Sequence, residues 1–460
     1  MNAFDLAVIG SGPGGYRAAV LASLQGLSVA IIEKAQWGGC CLNRGCVPKK
    51  DWHHTAKLLA ASRNFAKRGM GGSLTPDFAA AWTHQRQVVA TVRDSYVDYM
   101  KRLGIQALSG TARFVDSHTL AAGDMQIKAR HIIIATGSAP FIPSGYLVSE
   151  RIFTSDELFN QLPPRGQHIG IVGSGVIATE FAFILAQLGH RVEWYAGGAP
   201  LKRSQFSQPA LKLLKTALAE AGLVPRPARP LEAREVSSHV EVRLQDGVER
   251  VDWLLLATGR KPNSADLGLN AVGIESYQDG FVSTNQWLET SLPHVYAIGD
   301  VANPAMTANH ALAEASLAVA NILKPRGVAR DPRRVPEAVY SALELARVGR
   351  NEDEAEDDGL EPAVGFAAFE TNPRALGQDA REGFVRLIAD LDEAILLGGE
   401  IVGDESAELI QLIAERIDDP AGLSGLARAF YNHPARSEEL LNATETLAAK
   451  WGLKSLFERA

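Results

Sequence analysis

Cysteine is nearly absent from this chain: three residues in 460, at positions 40, 41 and 46. A disulfide-stapled secreted scaffold spreads its cysteines along the chain, so that class is excluded. Thiols clustered in an otherwise cysteine-free protein point to metal or redox chemistry instead. A closed zinc site needs about four ligands, and no second CxxC or HxxxH pair follows. His53 and His54 could add nitrogens, but adjacent residues of a helix point about 100° apart, so metal is the weaker reading. Long hydrophobic runs are also missing, and nothing reaches the ~18 apolar residues of a membrane helix. Neither sign of charge dominates. With 46 basic and 53 acidic residues the net charge is −7, which favours neither nucleic acid nor an anionic membrane. The opening residues lack a basic stretch followed by an apolar signal core, so the expected location is cytoplasmic. What remains is a globular composition, 46% hydrophobic and 22% charged, and a length that suggests about three domains of roughly 150 residues.

Glycine, by contrast, is placed with purpose. Residues 5–9 read as a strand and are followed by Gly10-Ser11-Gly12-Pro13-Gly14-Gly15, a helical stretch to residue 25, and a second strand over 28–32 ending at Glu33. This is a βαβ unit with an acid about 20 residues beyond the glycines. Gly10 permits the tight turn, Gly12 the approach of a pyrophosphate, and Gly15 close packing of helix on strand. The helix start offers unpaired N–H groups and a positive dipole end to phosphate. Glu33 is positioned to accept from ribose hydroxyls. The organisation recurs: a strand over 168–172, Gly173-Ser174-Gly175-Val176-Ile177-Ala178, a helix to 188, and a strand over 191–195. Two such units imply two dinucleotides, the arrangement by which a flavin and a nicotinamide exchange electrons.

Two further strands end alike, at Ala135-Thr136-Gly137 and Ala257-Thr258-Gly259, each closing a domain and crossing to the next. A later strand ends at Gly299-Asp300, so the chain is expected to return to its first domain. Residues 335–460 read as an α+β domain, with extended segments near 335–340, 363–369 and 384–390 and helices over 406–417 and 437–450. The acidic run from Asn351 to Asp358 reads as a helix start with Asn351 as N-cap. An acidic patch for a partner is the alternative.

Two stretches carry a resemblance. Gly38-Gly39-Cys40-Cys41-Leu42-Asn43-Arg44-Gly45-Cys46-Val47-Pro48-Lys49-Lys50 is similar to a GGTCxNxGCxPxK motif, and His433-Pro434-Ala435-Arg436-Ser437-Glu438 to HPTxSE. Together with both nucleotide folds, they make the chain resemble the flavoprotein disulfide reductases of the dihydrolipoamide dehydrogenase and glutathione reductase group over nearly its whole length. The resemblance implies an α/β fold: two Rossmann-like domains for FAD and NAD(P), plus a C-terminal α+β dimerisation domain. Its segments would be 1–147 (FAD), 148–262 (NAD(P)), 263–334 (return to FAD) and 335–460 (interface).

The same resemblance assigns roles. Cys41 and Cys46 form a redox disulfide, Cys46 against the flavin and Cys41 toward the substrate, with thiolate favoured by the helix dipole and nearby cations. His433 is the acid/base, oriented by Glu438, and reaches the disulfide of a second subunit in a homodimer. Glu180 pairs with a flavin-side lysine, Lys49 or Lys50. Asp300 binds the flavin's ribitol and Gly137 lies near its adenylate half. The cofactor-binding set is completed by Gly10, Gly12, Gly14, Gly15, Glu33, Lys34, Gly39, Cys40, Thr136 and Ser138, and by Gly173, Gly175, Ile177, Lys202, Arg203, Gly259, Arg260 and Gly299.

The chain also departs from its relatives. Cys40 replaces a threonine, read here as a silent replacement, with an extra exchange thiol as the alternative. Asp51-Trp52-His53-His54 matches neither group. Val20 and Leu21 stand where glutathione reductases present basic residues. The acid expected for NAD at the end of the second unit's strand is Ala196, followed by Gly197 and Gly198, while Lys202 and Arg203 could hold a 2′-phosphate; Glu193 points elsewhere. NAD and NADP are both open. The leading expectation is a dihydrolipoamide dehydrogenase-like enzyme acting on a lipoyl group carried by a protein, to which Val176 at the nicotinamide lid adds support. Reduction of a low-molecular-weight disulfide such as glutathione disulfide is the alternative, kept by Tyr96. A non-catalytic flavoprotein subunit is the third reading. Neither nucleic acid nor a membrane is an expected partner.

Overall fold

The computed structural model describes residues 2–458. The chain divides into two compact units: residues 1–178, 184–200 and 225–330 form one, and residues 179–183, 201–224 and 331–460 the other.

The first unit begins with strand Asn2–Ile9, helix Pro13–Leu24 and strand Val29–Glu33. The strands run parallel, with Leu6 opposite Val29 and Ile9 opposite Ile32. They are buried on both faces, as an α-covered parallel sheet requires: Leu6, Ala7, Val8, Ala30 and Ile31 are each 0% exposed. Burial of each of the larger ones, Leu6, Val8 and Ile31, contributes roughly 1.5–3 kcal/mol. The helix enters close to the preceding loop. A β-carbon at Gly15 would lie 1.9 Å from the Gly10 carbonyl oxygen, so only glycine fits. Strands Gln106–Ser109 and Met125–Ile134 extend the sheet on either side, and an antiparallel pair, Ala112–Asp116 and Thr119–Ala122, lies beyond the latter. Strand Val295–Ala297 pairs in parallel with Met125–Ile134, and helix Ala308–Leu323 packs against Pro13–Leu24. The chain therefore returns to its first sheet late in the sequence, as expected.

A second parallel sheet in this unit has the order Arg191–Tyr195, His168–Val172, Trp253–Leu256, Ile152–Thr154. An antiparallel meander, Glu232–Val236, His239–Leu244 and Gly247–Val251, precedes Trp253–Leu256. The two crossings expected at Thr136-Gly137 and Thr258-Gly259 pair with each other, since Ser138–Pro140 and Arg260–Pro262 run antiparallel. Thr136 Oγ1 donates to the Asn263 carbonyl at 2.7 Å, and Thr258 Oγ1 to that of Phe141 at 2.6 Å.

The second unit is built on an antiparallel sheet ordered Glu337–Tyr340, Glu344–Gly349, Leu396–Val402, Phe384–Asp390, Pro362–Ala368. Ile410 and Ile413 of helix Ser406–Ala414, Leu423 and Leu426 of Gly422–Arg428, and Leu440 and Leu447 of Glu438–Trp451 share one core with it. Strands Glu344–Gly349 and Leu396–Val402 were not expected from sequence. The second is fully buried and carries Gly398, where a β-carbon would lie 2.3 Å from the Arg350 carbonyl oxygen, so the glycine that reads as a breaker is a packing requirement. Asn351 does cap helix Glu352–Asp357. Its side chain accepts from the Glu354 N–H at 2.8 Å, and the Glu354 carboxylate accepts from the Asn351 N–H at 3.0 Å.

Candidate active site

Cys40 and Cys41 lie on the short helix Gly39–Arg44, and Cys46 opens helix Cys46–Ser62. Gly45, at φ −136° and ψ −109°, breaks the two helices apart. That break lets Cys46 face back to Cys41, and the two side chains are hydrogen-bonded. Cys40, Cys41 and Cys46 are all partly buried, and none is joined to another by a covalent bond. The thiolate expected at Cys41 is disfavoured by its surroundings. The Cys41 thiol is held well above its ordinary pKa, first by the hydrogen bond to Cys46, which accepts from the protonated form, and then by burial. Burial also pushes Cys40 up, against the opposing pull of Arg260. The Arg260 guanidinium lies 3.4 Å from Cys40 Sγ and 3.8 Å from Asp156.

Polar and aromatic groups surround the thiols. Tyr96, on helix Phe78–Arg102, stacks on Tyr16 with ring centroids 4.1 Å apart. Burial, and then the neighbouring Cys41, raise the Tyr96 pKa. Asn43 donates to the carbonyls of Trp37 and Gly39 at 2.9 Å and accepts from Arg93 at 3.3 Å. Asp51, from the unmatched segment, holds His84 at 2.9 Å, while Trp52 and His53 are buried core residues. Among the described residues no group of three metal-ligating side chains occurs.

The first glycine loop is braced for a dinucleotide. Glu33 is buried; its carboxylate accepts from the Ser11 N–H and hydroxyl at 2.9 and 2.7 Å and from the Ala35 N–H at 2.8 Å. Ser11 in turn accepts from the Gly38 N–H, tying this loop to the cysteine segment. A β-carbon at Gly12 or Gly137 would meet nothing within 4 Å, so the backbone there is open to a ligand. Gly14 and Gly15 are buried beneath it, and Lys34 is exposed at the edge. Asp300 accepts from Ser138 Oγ at 2.5 Å, which accepts from Arg260 Nε at 2.7 Å. The Gly299-Asp300 turn is held by a residue that pattern reading missed. Buried Glu314 accepts from the Gly299 N–H and from Asn303, each at 2.7 Å. These features fit an FAD. Lys49 and Lys50 are half-buried on the cysteine helix.

The second glycine loop has the same build. Gly173 takes φ +141°, Gly175 is exposed, Ile177 is half-buried and Gly259 is open at φ +116°. Trp194 Nε1 donates to the Gly173 carbonyl at 2.8 Å.

In the other unit, Glu180 accepts from the Tyr340 N–H at 2.8 Å, and Lys202 and Arg203 are exposed. His433 is also exposed there, with Nδ1 2.9 Å from Glu438 Oε1. The Ala435 N–H donates to the other carboxylate oxygen at 2.8 Å. That N–H, and then His433, hold the Glu438 pKa below its ordinary value. An ionised carboxylate only accepts, so Nδ1 carries the hydrogen and Nε2 is the basic nitrogen. The loop is pinned from below. Asn372 donates to the Ala435 carbonyl at 3.0 Å, and buried Arg436 donates to the Gln378 side chain and the Ala380 carbonyl.

Residues 4–315 match the pyridine nucleotide-disulphide oxidoreductase family, and residues 335–444 the dimerisation domain of the same family. The chain belongs to this family. The dihydrolipoyl dehydrogenase of Mycobacterium leprae is 33% identical over 96% of this chain and 97% of its own length. That of Thermus scotoductus is 31% identical, over 97% and 98%. Among solved structures, LpdA of Mycobacterium tuberculosis superposes with a TM-score of 0.89 over 97% of this chain and 99% of that one; at 23% identity it shows the fold alone. A Cu(II) complex of the HOCl-induced flavoprotein disulfide reductase RclA of Escherichia coli gives 0.84 at 25% identity, over 97% and 99%.

As a pyridine nucleotide-disulphide oxidoreductase the chain is an FAD-dependent enzyme of dithiol/disulfide exchange that uses a nicotinamide nucleotide, and it carries the family's dimerisation domain. No helix among the described residues is long and apolar enough to cross a membrane. The residues that brace the site (Glu314, Asn372, Arg436) carry no motif signal. Each acts through contacts far apart in sequence, and only buried polarity hints at them.

Proposed function

We propose that the enzyme oxidises a protein-borne lipoyl dithiol, with Cys41 and Cys46 as the exchanging pair and the partner subunit's His433 as the base. The hydrogen-bonded pair of Cys41 and Cys46 at the helix junction carries this reading, and full-length relatives named dihydrolipoyl dehydrogenase supply the substrate class. His433 Nε2 takes the proton from one substrate thiol, Glu438 stabilises the resulting imidazolium, and the substrate thiolate attacks Cys41 Sγ. Cys46 leaves as thiolate. The second substrate thiol then displaces Cys41, which takes up its proton; the lipoyl disulfide is released, leaving Cys41 as a thiol and Cys46 as a thiolate with His433 protonated. Gly10–Gly15, Glu33, Ser138 and Asp300 would hold a flavin, which would supply two-electron chemistry between Cys46 and a nicotinamide. Glu180 paired with Lys49 or Lys50, and the division 1–147, 148–262, 263–334 and 335–460, belong to the same proposal, as does a cytoplasmic location.

A second reading, reduction of a low-molecular-weight disulfide, draws on the Tyr16–Tyr96 stack beside Cys41, with Arg17 and Arg102 close to Tyr16. Turnover of dihydrolipoamide and of glutathione disulfide, each with both nicotinamide nucleotides, separates the two. Turnover confined to glutathione disulfide rejects the lipoyl reading.

A further inference from the structure

The second nucleotide-binding unit lacks the strand-end carboxylate that accepts from an NAD ribose. Strand Arg191–Tyr195 is followed by buried Ala196 and exposed Gly197. A cation reaches this spot from elsewhere in the chain. Residues 225–231, which lead into the meander, lie alongside the strand end. Arg226 bridges in parallel to Tyr195, with its N–H donating to the Trp194 carbonyl at 2.8 Å and its carbonyl accepting from the Ala196 N–H at 2.9 Å. Farther on, the Pro230 carbonyl accepts from the Tyr146 hydroxyl at 2.9 Å. Arg229, held between these anchors, lays its guanidinium over Gly197. A β-carbon there would lie 3.0 Å from Arg229 Nε and 3.3 Å from Nη2.

The surrounding acids are committed to other groups. Glu249 takes Arg226 and the Tyr195 hydroxyl, and Asp246 takes Arg226 at 3.1 Å. Glu193 shares the face of its strand with Tyr195, not with Ala196. Among the described residues no carboxylate lies within ion-pairing distance of Arg229. At the end of this strand of a dinucleotide fold, an acid selects the ribose hydroxyl and an arginine the 2′-phosphate. An arginine's planar fork matches that phosphate with two parallel hydrogen bonds.

We propose that Arg229 is the 2′-phosphate-binding residue of this enzyme and turns its second nucleotide site toward NADP(H). The site needs no arginine on the strand itself, because the neighbouring segment delivers one across Gly197. The proposal rests on the family's use of a nicotinamide nucleotide and not on the lipoyl reading.

The test is calorimetric binding of 2′,5′-ADP and of 5′-AMP to the FAD-loaded enzyme, with no thiol substrate present. Losing a charge-assisted bond translates to about 10–100-fold in affinity, so 2′,5′-ADP is expected to bind tighter than 5′-AMP by about that factor. Added salt should weaken the first ligand more than the second. Arg229→Ala should erase the preference while leaving 5′-AMP affinity intact, and Arg229→Lys should retain part of it. Equal affinities in the unmodified enzyme overturn the proposal even if the alanine variant fails to fold. An alanine variant that keeps the preference overturns it as well and passes the role to Lys202 or Arg203. Because no dithiol is used, failure here leaves the lipoyl reading untouched.

Discussion

Cys41 is half-buried and bonded through its thiol to Cys46, whereas His433 stands in solvent with one ring nitrogen on Glu438. The two regions solve opposite problems. The hydrogen bond to Cys46, and then burial, raise the Cys41 pKa and so disfavour its thiolate. The histidine is left open, with its proton fixed on Nδ1 and its basic nitrogen outward. A thiol whose pKa is raised needs a base, and a base this exposed needs something to act on. In the proposed mechanism each region supplies what the other lacks.

The strongest way to break this pairing is at the sulfurs. Cys41→Ser and Cys46→Ser are both expected to drop dithiol turnover to background in steady-state assays. Anaerobic addition of two electrons should give a long-wavelength thiolate–flavin absorption band that Cys46→Ser abolishes; an unchanged band would reassign the flavin-side sulfur to Cys41. Next comes the base. His433→Gln should lower dithiol turnover by about 10²–10⁴-fold with little change in nucleotide reduction of the flavin, which stopped-flow absorbance separates.

Glu438→Gln should cost less, roughly 10–100-fold, as expected for one charge-assisted hydrogen bond. It also has a pH signature. The Glu438 pKa is lower folded than unfolded, so its contribution to stability is present above the unfolded value and is lost as pH falls through the folded one. The melting-temperature gap between the unmodified enzyme and Glu438→Gln should therefore close in acid; a gap independent of pH would mean that the carboxylate is not held by its partners. The smallest effect belongs to the loop's support. Asn372→Ala removes the cap of helix Pro373–Gly377 and the hold on Ala435, costing about 0.5–2 kcal/mol in denaturant unfolding. A similar loss in dithiol turnover would show that the cap also places His433.

Local spacing made much of this visible in the sequence. Gly10–Gly15, the cysteine motif and the segment from His433 to Glu438 each lie within a few residues, and Asn351 announced its helix as a cap followed by a run of acids. What stayed hidden is nonlocal. Strand Leu396–Val402 is buried on both faces and carries two glycines because its neighbours press on it, so it has neither alternation nor β-branched density to mark it. Asn372 contacts Ala435 across 63 residues. Arg229 reads as one cation in a proline-rich connector until the backbone pairing at Arg226 sets it over Gly197. The raised pKa of Cys41 stayed hidden for the same reason, since a helix start is legible in sequence, whereas the contact with Cys46 and the burial are not.

Glu314 has a consequence for anyone recombining this protein with its relatives. It clamps the Gly299-Asp300 turn from the middle of helix Ala308–Leu323, and its own charge is met by Arg330 at 3.2 Å. The turn, the helix and residue 330 thus form a single exchangeable cassette. A chimaera joined between Leu323 and Arg330 to a relative with no cation at that place would keep the carboxylate unpaired, and the defect would surface about thirty residues upstream, at the Gly299-Asp300 turn, in a protein whose glycine loop is intact.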